Sequence, residues 1–374
     1  MITQILHITN DFSGSRVYNQ LVQAIDLQGV QQSIFTTIRK QEEWGKNNVD
    51  FTTSESTIHY SDNWTPWHRV SFRHKTKSNY KHLLQAINPL KIKHVHAHTL
   101  FSDGVLALKL KKDYGIPYTV TIRNTDINIF MRFMWHTWGI GKSVIENANR
   151  VVCISPAHIE RVKQWSACPI VFTDKVINIP NGVNRYWLEH LSCKQNLPQQ
   201  KDSFNLLYMG NFSSNKNLPR LMQSVLKLKE TREGLKLYII GGEGSDTGWI
   251  ETYAKKYPQA FHLYGIVQDK NKIRSIMRQC QIFTMPSLTE TFGLVYVEAL
   301  SQGLPILYTK GEGVDGFFSP SYGESCNPRS IQDISEKIEK MLIHYEDYSI
   351  EEEYLRLHFD WDLIGNKYLQ IFDL

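Results

Sequence analysis

Apolar and polar positions along this chain repeat in a fixed order, a short run with the period of a buried strand and then a longer stretch with helical spacing. TQILHIT (3–9) reads as a strand, a loop carrying Gly14 follows, VYNQLVQAIDLQ (17–28) has the spacing of a helix, and SIFTTIR (33–39) is a second strand. Further on, KHVHAH (93–98) is a strand, DGVLALKLKKDYG (103–115) a helix ended by glycine, and PYTVTIR (117–123) a strand, with VVCIS (151–155) and VINIPNG (176–182) closing the series. A second series starts near Phe204 with LLYMG, LYIIGG, FHLYG, QIFTMPS and PILYT. Strands that alternate with helices in this way build a parallel, doubly wound sheet, so the fold class is α/β.

The polar stretch EHLSCKQNLPQQKDS (189–203) predicts a linker, which places one domain at 1–185 and another at 204–359. Length agrees, because 374 residues exceed the roughly 250 to 300 that one core serves. The tail FDWDLIGNKYLQIFDL (359–374) is amphipathic and predicts a final helix over 360–374. No apolar run reaches the length of a membrane span, and MITQILHITNDF lacks the basic start and long apolar stretch of a signal peptide, so a cytoplasmic location is expected. Five cysteines at no metal spacing are expected as reduced thiols.

Charge separates the halves. Residues 1–182 carry 21 Lys and Arg against 13 Asp and Glu, and the remainder carries 21 against 24. The densest basic piece, NWTPWHRVSFRHKTKSNYKH (63–82), interleaves aromatic and basic residues, as does the Met- and Trp-rich IFMRFMWHTWGIG (129–141) to a lesser degree. Such faces suit nucleic acid or an anionic membrane leaflet; the expected partner is the membrane, without nucleic acid.

The most informative block is PSLTETFGLVYVEALSQGLP (286–305). It follows a buried strand and sets Glu290 before, and Glu298 inside, a helix that opens at Phe292, Gly293 and Leu294. A helix start offers unpaired N–H groups and a positive dipole end, which suit a diphosphate. Glu298 can accept from ribose hydroxyls, and Glu290 can hold a sugar on the other side of the phosphates. Eight residues at 1.5 Å rise span at most roughly 12 Å, about the reach of a diphosphate with a sugar at each end.

This block, with the downstream GVDGFF (313–318), resembles the signature region of the family 4 retaining glycosyltransferases. INIPNGVN (177–184), LLYMGNFSSNKNLPRLM (206–222), LKLYIIGGEG (235–244) and FHLYGIVQDK (261–270) fall in that family's order. The resemblance implies the GT-B fold, two Rossmann-like domains facing across a cleft, with the C-terminal helix packed back on the first. It implies a hexose donor activated as a UDP, GDP or ADP sugar, and an acceptor that is a lipid-linked saccharide or a growing surface glycan. It also implies that backbone near Tyr264, Gly265 and Ile266 reads the base, and that Lys216 clamps the diphosphate.

The chain departs from the family at three places. Asn211 stands where an arginine is usual, leaving Arg16, Arg123 or Arg220 to supply the missing charge. Gly14 and Ser15 replace a glycine pair. Arg123, Asn124, Thr125 and Asp126 match a motif whose first residue is normally histidine; the carbonyl of Arg123 then steers the attacking hydroxyl, and Asp126 keeps the family's aspartate. His96 and His98, at a neighbouring strand end, lie toward the same cleft, although a histidine at a strand end is more often packed or hydrogen-bonded. No metal and no cofactor are expected, since lysine and a helix dipole replace the cation and no Asp-x-Asp pair stands at a strand end. Glu290, Lys216, Arg123 and Asp126 are thus the candidate catalytic residues. A nucleotide-sugar epimerase, a glycogen or sucrose type synthase, and a catalytically impaired polyanion binder remain as alternatives.

Overall fold

The computed structural model describes residues 4–53, 55–194 and 203–374; residues 195–202 of the expected linker lie outside the described residues. The chain forms two compact units, Met1–Gly182 with His358–Leu374, and Val183–Leu357.

Unit 1 is built on seven parallel strands: β1 Gln4–Thr9, β2 Gln31–Thr37, β3 Thr57–Ser61, β4 Ile92–Ala97, β5 Tyr118–Ile122, β6 Arg150–Cys153 and β7 Val176–Asn178, in the order β3-β2-β1-β4-β5-β6-β7. Helices cover both faces, so the central strands are buried along their length, as all of β5 is. Leu6, Ile8, Val95 and Val120 pack with Val105 and Leu108 of the helix Gly104–Tyr114. On the opposite face Ile5, Val152 and Ile179 meet Leu21 and Ile25 of the helix Arg16–Asp26, and Ile364, Tyr368 and Leu369 of the C-terminal helix Trp361–Ile371. Those two helices approach closely because Gly365 lies against Ala24, where an added Cβ would come within 3.2 Å. Asp360 caps the C-terminal helix by accepting from the N–H groups of Asp362 and Leu363.

Unit 2 holds six parallel strands: β8 Asn205–Met209, β9 Lys236–Ile240, β10 Phe261–Gly265, β11 Ile282–Thr284, β12 Ile306–Thr309 and β13 Gly323–Cys326, in the order β10-β9-β8-β11-β12-β13. In each sheet the order reverses beside its first strand, between β1 and β4 and between β8 and β11. At such a switch point the loops at the carboxyl ends diverge and leave room for a ligand.

The edge strands β3 and β13 went unread in the sequence because TIHYS and GESC carry no apolar run. The run QIFTMPS forms only a three-residue strand, since Pro286 cannot donate to a ladder. All five cysteines are free, and four of them are buried. No helix among the described residues is long and apolar enough to cross a membrane.

Candidate functional site

Lys216 and Glu290 come from different loops at the switch point of unit 2. Lys216 ends the turn after β8 and Glu290 follows β11, and the lysine Nζ lies 2.7 Å from Glu290 Oε2. Asn215 ties the two loops together: its Nδ2 donates to the Thr289 carbonyl at 2.8 Å, its Oδ1 accepts from the Thr289 N–H at 3.1 Å, and its own carbonyl accepts from Leu288. The sequence reading missed this residue, since an asparagine before the expected lysine carries no signal until the loops meet. Glu290 is held further by the Thr291 N–H on Oε1 at 3.0 Å, and its own N–H donates to Glu312. Gly313 packs so tightly here that an added Cβ would fall 2.9 Å from the Phe292 carbonyl, which accounts for a glycine in GVDGFF.

The helix predicted to open at Phe292 spans Leu294–Leu300, with Gly293 as its N-cap at φ 82°, a left-handed conformation that glycine adopts without strain. Phe292 is buried and edge-on to Phe317. Asn211, in the arginine position, spends its side-chain oxygen on Ser213, accepting from its hydroxyl at 2.8 Å. Two glycine loops interlock beside it: a Cβ on Gly241 would sit 1.8 Å from the Gly210 carbonyl oxygen, and one on Gly244 2.2 Å from Phe212. Tyr264 and Gly265 close β10, and Ile266 is exposed beside Gly242.

Glu298 lies in the helix Leu294–Leu300, where the indole N–H of the buried Trp187 donates to it. Burial pushes its carboxyl up to about 7, opposed by that hydrogen bond and by the Lys270 ammonium. The folded value lies above the ordinary 4.5, so a penalty for ionising Glu298 appears as pH rises from 4.5 and is complete above 7. Glu298→Gln keeps an acceptor for Trp187 and removes that penalty. We expect it to raise stability at pH 8 by about 2 kcal/mol, the full shift discounted for partial exposure, and to change nothing at pH 4. Melting curves at the two pH values check this.

Of the arginines considered for the missing charge, Arg220 is occupied, donating to Asn217 Oδ1 at 2.7 Å and the Pro328 carbonyl at 3.2 Å. Arg16 is exposed in unit 1, at the start of the helix Arg16–Asp26. Arg123 is 8% exposed, donates to Asn181 Oδ1 at 2.9 Å and lies over the Tyr18 ring. Gly14 closes a turn on Asp11, whose side chain would meet an added Cβ at 2.2 Å.

Asp126 is 1% exposed, and its carboxylate accepts from the backbone N–H groups of Leu100, Phe101 and Arg123 at 3.0, 3.2 and 2.9 Å. It pins the loops after β4 and β5 from inside. Burial nevertheless raises it to about 6.

His96 and His98 do not reach open space; they are packed and hydrogen-bonded, the commoner state of a histidine at a strand end. Both are fully buried, and β1 pairing brings His7 beside them, so that one ring nitrogen from each lies within 4.8 Å of the others. His7 Nδ1 and His98 Nε2 are 3.0 Å apart and share a hydrogen bond, while His96 Nε2 bonds Thr121 Oγ1 at 2.8 Å. Tyr18, Tyr368 and Phe372 pack around the rings. Burial holds all three neutral, His7 at about 3 and the others well below their ordinary range. HVHAH puts its histidines on one face, but His7 joins them only through the β1–β4 register.

Two family models match the chain: Glycosyltransferase Family 4 over residues 14–186 and Glycosyl transferases group 1 over residues 192–356. The putative teichuronic acid biosynthesis glycosyltransferase TuaC of Bacillus subtilis is 22% identical over 249 residues, 65% of this chain; the chain spans 60% of that relative's length. Among solved structures, the sucrose-phosphate synthase of Thermosynechococcus elongatus superposes with TM-score 0.73 at 18% identity, over 99% of this chain and 98% of that one. Anabaena HepE in complex with UDP gives 0.72 at 12% identity, over 99% of both. With both halves matched in order, and with two parallel sheets that each reverse strand order beside their first strand, the chain belongs to the group 1 glycosyltransferases of family 4, with the GT-B fold.

Proposed function

We propose that the chain transfers a hexosyl unit, with retention of configuration and without a metal ion, from a nucleoside diphosphate sugar to a glycan or lipid-linked saccharide. The observation that carries this reading is the Lys216–Glu290 pair, 2.7 Å apart at the switch point of unit 2. Lys216 takes up the charge of the departing diphosphate together with the amides of Phe292, Gly293 and Leu294, an electrostatic role that a divalent cation fills elsewhere. Glu290 orients the sugar, Glu298 accepts from the ribose, and the backbone of Tyr264, Gly265 and Ile266 lies along the base. Unit 1 takes the acceptor: the Arg123 carbonyl steers its hydroxyl, and Asp126 holds that backbone in place. HepE, a structural neighbour, is described with UDP, which makes UDP the first donor nucleotide to try.

Melting in the presence of UDP, GDP and ADP sugars tests the donor; a nucleotide at 100 times its dissociation constant stabilises by about 2.7 kcal/mol. Proton NMR of the product then reads the anomeric configuration, with retention and persistence in EDTA expected. Loss of turnover in chelator, restored by magnesium or manganese, refutes the metal-free mechanism. Stabilisation by polyphosphate but by no nucleotide sugar favours the polyanion binder.

The acceptor reading places the protein at the inner face of the cell membrane, on an anionic surface. Trp67 and Val70 are exposed near the basic helix Phe72–Ala86, and Phe133 and Trp135 are exposed beside Arg132. Each Lys or Arg near an anionic leaflet contributes about 1 kcal/mol, weakened by salt. Co-sedimentation is therefore expected with anionic vesicles at low salt and reduced at high salt; equal, negligible binding to anionic and neutral vesicles refutes the attachment.

A further inference from the structure

Unit 1 carries a formed cavity at the carboxyl end of its sheet, where the strand order reverses between β1 and β4. It encloses about 290 Å³ among Asn10 after β1, Arg39 after β2, Ser102 after β4 and Arg123 after β5, with Lys75 reaching in from the helix Phe72–Ala86. A smaller adjoining cavity of about 110 Å³ shares Asn10, Arg39 and Lys75 and adds Asn63 and Trp64.

The lining of this cavity carries three cations, Arg39, Lys75 and Arg123, against two carboxylates, Asp11 and Asp126. Among the described residues neither Arg39 nor Lys75 has a carboxylate within ion-pair distance. The Lys75 ammonium donates to Ser102 Oγ at 3.1 Å, which uses one of its three N–H groups, and the Arg39 guanidinium projects from an exposed residue at the rim. Two carboxyls beside the cations are already engaged. Asp126 is spent on three backbone N–H groups, and Asp103 accepts from Thr99 Oγ1 at 2.8 Å and is raised by burial to about 7; burial lowers Lys75, opposed by the Asp103 carboxylate. A half-buried ammonium, a guanidinium fork and a hydroxyl around one space of this size are the donors a compact oxyanion needs.

We propose that Lys75, Arg39 and Ser102 form an oxyanion subsite of the acceptor site, taking a phosphate or carboxylate group that the acceptor itself carries. This rests on the reading of unit 1 as the acceptor unit and narrows it to acidic acceptors. The two sources of the anion are the phosphoryl group of a lipid carrier and the carboxylate of an acidic sugar.

Isothermal titration separates them. The full chain, saturated with UDP so that the donor loops are filled, is titrated with pyrophosphate and with glucuronate; Arg39→Gln and Lys75→Gln are titrated in parallel, after melting curves show each folded. Binding of one of the two anions, weakened about tenfold or more in both variants, is expected. Preference for pyrophosphate identifies a phosphorylated acceptor and preference for glucuronate an acidic sugar. Binding of neither anion, or binding equally tight in the variants, overturns the subsite. The UDP titration that precedes these measurements reports the donor loops alone, so failure of the donor reading is seen separately.

Discussion

Lys216→Ala and Glu298→Ala are each expected to weaken UDP binding by about 10- to 100-fold, since each removes one charge-assisted hydrogen bond worth about 1.5 to 3 kcal/mol. Glu290→Ala is expected to behave differently, losing turnover more than nucleotide affinity, because its carboxylate faces the sugar in this reading. The ion pair complicates the comparison: Lys216 and Glu290 side chains are 22% and 11% exposed, so removing the lysine leaves a poorly solvated carboxylate. Lys216→Met in a Glu290→Gln background removes that repulsion. If this double variant regains UDP affinity, Lys216 serves to neutralise Glu290 and not to bind phosphate. Isothermal titration with UDP decides each case, and UDP binding to Glu298→Ala as tight as to the unmodified chain removes the ribose assignment.

Asp126→Ala is expected to destabilise unit 1 strongly. It strips three backbone N–H groups of their acceptor in a position that is 1% exposed, where water does not replace it. With each orphaned donor costing about 1 to 3 kcal/mol, a loss on the order of 4 kcal/mol follows. At roughly 2 to 4 °C per kcal/mol, the unfolding transition should fall by about 10 °C. Asp126→Asn keeps one accepting oxygen and turns an NH2 group against a backbone donor, so it should fall between. Calorimetry of the three proteins checks the order. An Asp126→Ala chain that melts like the unmodified one refutes the pinning role.

Both predictions show where sequence sufficed and where it did not. Glu290 and Glu298 were legible as candidates because their spacing follows local geometry, a strand end, a turn and a helix start fixing the reach of each side chain; Lys216 was legible only through the resemblance to the family. Asp126 was legible as a residue but not as a structural acceptor, because its partners at 100 and 101 belong to another loop that only the β4–β5 pairing brings near. Asn215 and Trp187 were unread for the same reason; each acts on a residue more than 70 positions away, Thr289 and Glu298.

The sequence by itself determined the two α/β units, since a parallel sheet covered on both faces needs continuous apolar strands and amphipathic helices, and both leave a period in the chain. It also determined the loops that bear the candidate chemistry, because glycine and charged residues at strand ends are a local property. The tertiary structure decided the rest. Strand order put His7 against His96 and His98 inside the sheet, where desolvation keeps them neutral. It brought Arg39 and Lys75 to the rim of one cavity from positions 36 residues apart. Burial and pairing are sums over neighbours distant in the chain, and no local pattern carries them.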